Sequence, residues 1–535
     1  MPNLVGPPLD SAKKIVYNGQ RLFQKGNGRL TGRLRSEIYL VGGNDMKKHS
    51  RLSALLLVLV MVTAMFAACG NNGDDPDSTT TAPQSGDATT PSPDDTTVPD
   101  GTTTEPDDTT VPDTTYDGYE FTIMGSGDVF PETNDDGSYK SQLEEELADE
   151  LAALEERLDI IITKLEFSGD KLEAVTSAAM GGDKLADLLW LHQRDFWPAA
   201  KANALLPLDD QKLVDAGLDC RDETRWYQLS VKWSELFDHP WAFRVASEYV
   251  AVPTGYFVTF NKELCASAGY DDMYQLVRDY EWNWDVYRDI ARKVTKDTDG
   301  DGVNDIWGTG ATAWGNEAIA NGVQFVGEVD GKWQMTINSE AGIRALQFLY
   351  DLNYGDGTRK DDSSGNLRQA FADGTIAFNW AQMGHINGPG EVIFNSEHDY
   401  GIIPMPMGPD ATEYYSMNDD VNGFVLMAAN KDLDKVVPIM NEWALILNDT
   451  ESYLETLNDG RCRTEEDMEM MVDYIIPNFT VNMGRMTEDI WNIVDEGDDE
   501  RGIISDVSYS GFTPQQAVEA HEAKLNAALD AFFDQ

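Results

Sequence analysis

The sequence predicts an α/β fold, a mostly parallel sheet with helices on its faces. Three observations predict it. Apolar residues make up 41% of 535 positions, with 13 Trp, 20 Tyr and 20 Phe. That is enough for two domains around a sizeable core. Between Tyr119 and Leu191, short alternating runs are interleaved with helical stretches in the order βαβαβ, the order that packs helices on a parallel sheet. The same alternation resumes beyond Tyr249.

Each element follows from local chemistry. Tyr119 to Gly125 alternates and then meets glycine, so it reads as the first strand. Ser141 to Leu158 reads as a helix, with Ser141 as N-cap and Glu144 completing a capping box. Ile160 to Phe167 is the second strand, and Asp170 to Met180 a helix stopped by Gly181-Gly182. Asp187 to Leu191 is a short buried strand. Tyr249 to Pro253 leads through Thr254-Gly255 into a strand from Tyr256 to Phe260, and Asn261 starts a helix. Trp282 to Asp285 opens another helix, continued to Val294. Gly374 to Trp380 and Tyr400 to Pro406 read as strands, the second leaving its lobe. Asn422 to Met427 is a strand and Val436 to Leu447 a helix. Helices over 465–474, 487–494 and 514–532 close the chain.

The folded body is preceded by a long N-terminal region. Met46 opens a secretory pattern, with Lys47, Lys48 and Arg51 ahead of an uncharged run from Ala54 to Ala68. That run falls short of the ~20 residues a membrane-spanning helix needs. Its end, Ala67-Ala68-Cys69-Gly70, resembles the bacterial lipobox, which implies lipidation at Cys69 and a signal peptide over 46–69. Residues 1–45 have no apolar segment of their own and read as an upstream extension from a misassigned start. From Asn71 to Thr115 the chain is mainly Thr, Pro and Asp, without Lys, Arg or an aromatic. Such a segment cannot offset its chain entropy by burial. The stretch 70–118 therefore reads as a disordered tether that holds a domain away from a membrane.

The chain carries 94 acidic and 40 basic residues, a formal net charge of -54. So acidic a surface repels phosphate backbones and argues against nucleic acid as a partner. Four cysteines exclude a disulfide-dense module. With Cys69 lipidated, Cys220, Cys265 and Cys462 remain, and three thiols cannot all pair. The sequence has no G-x-S-x-G elbow, no Walker A loop, no dinucleotide fingerprint and no H-E-x-x-H.

Five segments, in order, carry a family resemblance. They are Asp187-Leu188-Leu189 with Ala204 to Asp209; Tyr249 to Asn261; Ala266 to Tyr270; Phe371 to Phe378; and Gly511 to Ala517. Ala186 and Ala204 stand where the family usually has Pro and Gly. With the lipobox and the tether, the chain resembles family 1 of bacterial extracellular solute-binding proteins. These are ABC-importer lipoproteins for sugars and oligosaccharides, among them maltose-binding protein. The resemblance implies a periplasmic-binding-protein-like (type II) fold, two α/β lobes with a hinge and discontinuous domains. Lobe one would hold 119–253 and the return segment 411–450, and lobe two 254–410. The terminal helices over 451–535 would lie mainly on lobe two. The resemblance also implies a non-enzymatic monomer on the extracytoplasmic face of the cell membrane. It would deliver a sugar to the membrane permease subunits.

Sugars offer flat C–H faces to aromatic rings and hydroxyl edges to polar side chains. Four places combine the two. Trp190, Gln193, Asp195 and Trp197 follow a buried strand, at the carboxyl end where open α/β sheets bind ligands. Trp314 stands in the loop where the opposite lobe of the family presents ligand contacts. Trp380 and Gln382 follow the strand before them, and Asn418 and Asp419 lie near the return crossing. Tyr256, just past the hinge, is placed on the cleft floor.

The sharpest short motif runs from Asp297 to Asp305. Asp297, Asp299, Asp301 and Asp305, with the carbonyl of Val303 and Gly302 at the turn, supply the oxygen set of a structural Ca²⁺ loop. Gly308 stands where an EF-hand has its bidentate Glu, so another group must complete the shell, Glu317 being one candidate. A cell-surface glycoside hydrolase would share the acidic, Trp-rich composition and stays open, since paired carboxylates are plentiful. A peptide-binding protein and an adhesin also remain open.

Overall fold

The computed structural model describes residues 114–125, 129–250, 255–310, 315–361, 364–388, 390–418, 420–458, 461–495 and 501–534. The signal segment, Cys69, nearly all of the tether, Trp314 and Asp419 lie outside the described residues.

The first sheet is built from the predicted βαβαβ run. Strand β1 (Tyr119–Met124) is followed by helix α1 (Gln142–Leu158), β2 (Ile160–Leu165), α2 (Lys171–Gly181), β3 (Leu188–His192) and α3 (Gln193–Lys201). β1 pairs in parallel with both β2 and β3. Ser141 caps α1 by accepting from the Glu144 amide, but the predicted capping box does not form. The Glu144 carboxylate instead accepts from the Glu132 amide at 2.9 Å, a donor in the preceding loop. α2 ends as expected, at Gly182 with φ 77°, a left-handed conformation that glycine adopts without cost.

The second sheet contains β5 (Phe257–Asn261), β6 (Trp307–Thr309), β9 (Ile376–Ala381) and β10 (Tyr400–Ile403), after the two-residue β4 (Leu205–Leu206) and around the hairpin β7 (Val326–Val329)–β8 (Lys332–Met335). Helices α4 (Trp284–Val294), α5 (Asn316–Ala320) and α6 (Glu340–Tyr350) belong to the same region. The chain then forms β11 (Ser416–Asn418) and β12 (Asn422–Met427). β12 does not join the second sheet but returns to the first, between β3 and β4. The domains are therefore discontinuous in sequence.

The expectation of mostly parallel sheets is corrected. The first sheet, in the order β2-β1-β3-β12-β4, is parallel only over its first three strands. The second, β10-β5-β9-β6, is parallel only between β6 and β9. The antiparallel strands β12 and β5 are the first that each sheet receives after a crossing. Each lies inside its sheet, β12 between β3 and β4 and β5 between β10 and β9, and runs against those neighbours.

Burial follows the two sheets. One layer packs Phe121, Ile123, Leu147, Leu151 and Leu154 against Val436, Met440 and Trp443 of α7 (Leu433–Leu447). The other cluster runs without a break from Leu189, Leu191 and Phe196 to Phe257, Phe260, Phe378 and Ile402. The lobes thus share apolar contact through their junction. β13 (Phe479–Val481), α8 (Glu488–Val494), α9 (Ile503–Tyr509) and α10 (Pro514–Phe533) follow. α10 packs on β8 and α9 on α6. The helix expected over 465–474 is α-helical only to Glu469 and widens into a π-turn from Met470 to Ile475.

Candidate functional site

The junction between the sheets is built from three chain segments. The Tyr256 amide donates to the Met417 carbonyl at 3.0 Å. β11 pairs in parallel with β13, and the Asn482 amide donates to the Asn418 carbonyl at 2.9 Å. The third segment, 479–482, was not foreseen, because Phe479-Thr480-Val481 is too short to show an alternating pattern. Gly255 lies where the three meet, since a β-carbon there would stand 2.3 Å from the Met417 carbonyl oxygen and 2.5 Å from the Phe479 ring.

On the first lobe, β1, β2 and β3 present their carboxyl ends at Met124, Leu165 and His192. His192 pairs with Asp420 at 3.2 Å, and this contact holds the Asp420 carboxyl down at about 2. Arg194 reaches Glu488 of α8 at 2.5 Å. Asp195 is half-buried, and burial raises its carboxyl above the usual range.

Three expected contacts on this edge are committed to the protein itself. Gln193 is fully buried; its Nε2 donates to the Asn482 carbonyl at 3.1 Å and its Oε1 accepts from the Val421 amide. Trp197 is fully buried, its Nε1 donating to the Ser234 carbonyl at 3.0 Å. Phe196, Trp197, Ala199 and Ala200 of α3 are all buried, so this helix turns a broad apolar face to the core. Trp190 is held between Phe424, with ring centroids 4.7 Å apart, and the Arg244 guanidinium at 4.6 Å. Strand alternation sends Trp190 to the face opposite Leu189 and Leu191.

On the second lobe, β6 and β9 run in parallel and end at Thr309 and Ala381. Gln382 is half-buried and caps the turn Met383–Ile386, its amide donating to His385 Nδ1 at 3.2 Å. Burial, reinforced by Arg368, pushes the His385 imidazole down to about 4, so it is neutral. Trp380 is buried on β9 with its indole against the Tyr287 hydroxyl, and Asn418 is buried on β11 with no partner for Nδ2. Tyr256 is buried in the shared core beside the hinge. The structure thus gathers Trp380, Asn418 and Tyr256 around the junction, and sets Trp190 and Trp197 into packing.

The acidic loop lies apart from these edges. Asp297, Asp299 and Asp305 each direct a carboxylate oxygen to within 4.8 Å of the others. Asp301 is outside this group; its Oδ1 accepts from the Val303 amide. Asp297 accepts from the Gly302 and Gly300 amides, which holds its carboxyl below the usual range. The Thr298 hydroxyl and amide do the same for Asp305. Glu317 is not available to complete this exposed loop, because it is 2% exposed within α5. The three carboxylates form an all-oxygen anionic donor set suited to a hard divalent cation.

Cys220, Cys265 and Cys462 are all buried and free. Burial raises the thiols of Cys265 and Cys462, which makes them inert packing groups. Among the described residues no helix is long and apolar enough to cross a membrane.

Comparison with known proteins gives one family and many structures. The family described as bacterial extracellular solute-binding protein matches residues 140–438. No curated protein matches the sequence. Among solved structures, the cyclic alpha-maltosyl-1,6-maltose binding protein from Arthrobacter globiformis aligns with TM-score 0.52 and 14% identity, covering 77% of this chain and 100% of that one. The ABC substrate-binding protein from Listeria monocytogenes in complex with cycloalternan aligns with TM-score 0.50 and 16% identity, covering 77% and 99%. UgpB from Mycobacterium tuberculosis in complex with glycerophosphocholine aligns with TM-score 0.50 and 16% identity, covering 78% and 98%. At these identities the likeness is one of fold.

Proposed function

Since this chain belongs to the bacterial extracellular solute-binding proteins, we propose that it captures a sugar or oligosaccharide between its two lobes and delivers it to the membrane subunits of an ABC importer. The family binds solutes rather than transforming them, so the role is non-catalytic. The observation that carries this reading is the family match over 140–438, which takes in two of the three junction segments and every strand of both sheets except β1. A sugar is favoured because two of the structures sharing the fold are a cyclic alpha-maltosyl-1,6-maltose binding protein and a protein in complex with cycloalternan. UgpB, with glycerophosphocholine, marks the alternative of a non-sugar polar solute.

Capture works by differential affinity. A ligand that touches both lobes stabilises the form in which they close on it, and the permease reads that form. Ligand contacts are assigned to Asp195 on the first lobe, to Trp314, Trp380 and Gln382 on the second, and to Asn418, Asp419 and Tyr256 at the junction. Lobe one comprises 119–253 with 411–450, and lobe two 254–410 with most of 451–535. Cys69 carries the lipid that anchors the protein, as a monomer, to the extracytoplasmic face of the membrane. The loop 297–305 holds a structural Ca²⁺, ligated by Asp297, Asp299 and Asp305 and completed by the Val303 carbonyl and water. Asp301 backs the loop.

Thermal denaturation against a panel of oligosaccharides, amino acids and short peptides tests the reading. A binder that favours the closed state raises the melting temperature by mass action. One glycan class should shift it, with the glycan recovered unchanged. A shift with peptides alone would replace sugar with peptide as the cargo, and release of shortened glycan would make the protein a hydrolase.

A further inference from the structure

The turn from Leu236 to His239 holds an aromatic residue in a backbone conformation that most side chains avoid. Leu236 and His239 exchange both amide hydrogen bonds, at 3.1 and 3.2 Å. The two residues between them, Phe237 and Asp238, have φ of 57° and 65°. This is the tight turn that ordinarily takes Asn-Gly, because other β-carbons crowd the backbone there. Among the described residues, the other non-glycine positions with positive φ are Asp or Asn, apart from Tyr280. Phenylalanine gains nothing from the turn itself, so the reason for it lies in what its ring touches.

The ring touches the last helix. Its centroid lies 5.9 Å from that of Phe532 and 5.7 Å from that of Phe533. Phe533 stacks on Trp333 of β8, at 4.7 Å and 1°. Lys201 Nζ lies 5.7 Å from the Phe532 ring centroid and 2.6 Å from the Asp534 carboxylate.

The two sides belong to different parts of the fold. Phe237 follows Ser234, whose carbonyl accepts from Trp197 of α3, and α3 packs on β3. It precedes Phe243, whose backbone bridges to Phe424 of β12. These are elements of the first sheet. α10 instead lies on β8, where its Asn526 Oδ1 accepts from the Met335 amide at 2.8 Å. The aromatic group thus joins the first sheet to the β7–β8 hairpin, outside the three junction segments.

The rings rather than the charges carry this contact. The Asp534 side chain is 80% exposed, and an ion pair so exposed contributes little. Paired rings gain beyond the area they bury. Phe237, Phe532, Phe533 and Trp333 are all half-buried, so they can separate without opening either core.

We propose that Phe237 is a positioning residue for solute capture: seated against Phe532 and Phe533, it clasps the two lobes in the arrangement of this structure before a ligand arrives. Lobes already drawn together lose less affinity to closure. The clasp acts between the lobes alone and is independent of which solute is carried.

Double electron–electron resonance on the unliganded protein tests it. Nitroxide labels are placed at Met180→Cys and Val392→Cys, exposed positions on the first-sheet and second-sheet sides. The chain carries Cys69→Ser, and Cys220, Cys265 and Cys462 are buried. Phe237→Asn removes the ring and suits the turn. Loss of an aromatic pair should lower the ratio of the wild-type distance to longer ones by roughly two- to tenfold. Phe533→Leu should do the same, and Lys201→Ala should change the ratio far less. Melting of each variant reports whether it folds, and Phe533→Leu suffices if Phe237→Asn does not. An unchanged distance distribution in the folded variants would overturn the clasp and leave Phe237 as packing. A shift to shorter distances would overturn it as well, by showing that the rings prop the lobes apart. No sugar enters the measurement, so a failure of the sugar reading leaves this result standing.

Discussion

The Gly255 α-carbon sits against the Met417 carbonyl so closely that a β-carbon would stand 2.3 Å from its oxygen. Residue 255 opens the first junction segment and Met417 lies in the second, so this approach fixes the distance between two crossing strands. The Phe479 ring of the third segment closes the other side, 2.5 Å from the same position. Glycine is required here by proximity.

Substitution at this point should therefore act on the whole junction. Gly255→Val forces backbone, not a flexible side chain, to move. Overpacking of this kind costs typically 1–3 kcal/mol, and we expect a fall of about 2 kcal/mol in unfolding free energy by denaturant titration. Small-angle scattering should show a changed distribution of lobe separations. A Gly255→Val protein that matches wild type in both would contradict the tight junction.

Glu317 gives stability a pH dependence of definite sign. Burial pushes its carboxyl up to about 8, from an ordinary value of 4.5. The folded state thus keeps a proton that the unfolded chain releases. Its contribution is complete below about pH 4.5 and is lost as the pH rises through 8. The slope is at most about 1.4 kcal/mol per pH unit between those limits. Glu317→Gln stays neutral throughout. It should melt several degrees above wild type at pH 8.5 and no higher at pH 5. Parallel melting curves at all pH values would show that the carboxyl ionises freely.

His385 acts in the opposite direction. Burial, aided by Arg368, pushes its imidazole down to about 4, against 6.5 in the unfolded chain. The unfolded state therefore takes up a proton first. The stabilisation is intact above pH 6.5 and declines as the pH falls toward 4. His385→Asn can keep an acceptor for the Gln382 amide and should flatten the acid side of the stability profile. An unchanged profile would place His385 in contact with water.

The acidic loop predicts a response to chelation. Asp297, Asp299 and Asp305 repel one another at close range unless a cation intervenes. Millimolar EGTA should lower the melting temperature by several degrees, and added Ca²⁺ should restore it. Asp297→Asn with Asp305→Asn should abolish the difference. If wild type ignores EGTA, the loop is an acidic turn held by its own hydrogen bonds.

The sequence by itself determined the elements whose signals are local. Ser141, Asp170, Asn261, Asn283 and Thr513 each cap the helix expected after them. β1, β3, β9 and β12 lie within a residue or two of the strands expected there. The family was legible too, because its segments keep their order along the chain. Tertiary structure alone decided the direction of β12 and β5, since that depends on which strands they pair with across the sheet. It also decided the third junction segment at 479–482, whose three-residue strand exists only by pairing with β11. The site divided in the same way. Residue type marked Trp190, Trp197, Trp314 and Trp380 alike, but a tryptophan serves a core as well as a cleft, and packing set Trp190 and Trp197 into the first lobe. Glu317, which the sequence offered to the metal loop, is buried in α5 instead, and burial is assigned by the fold.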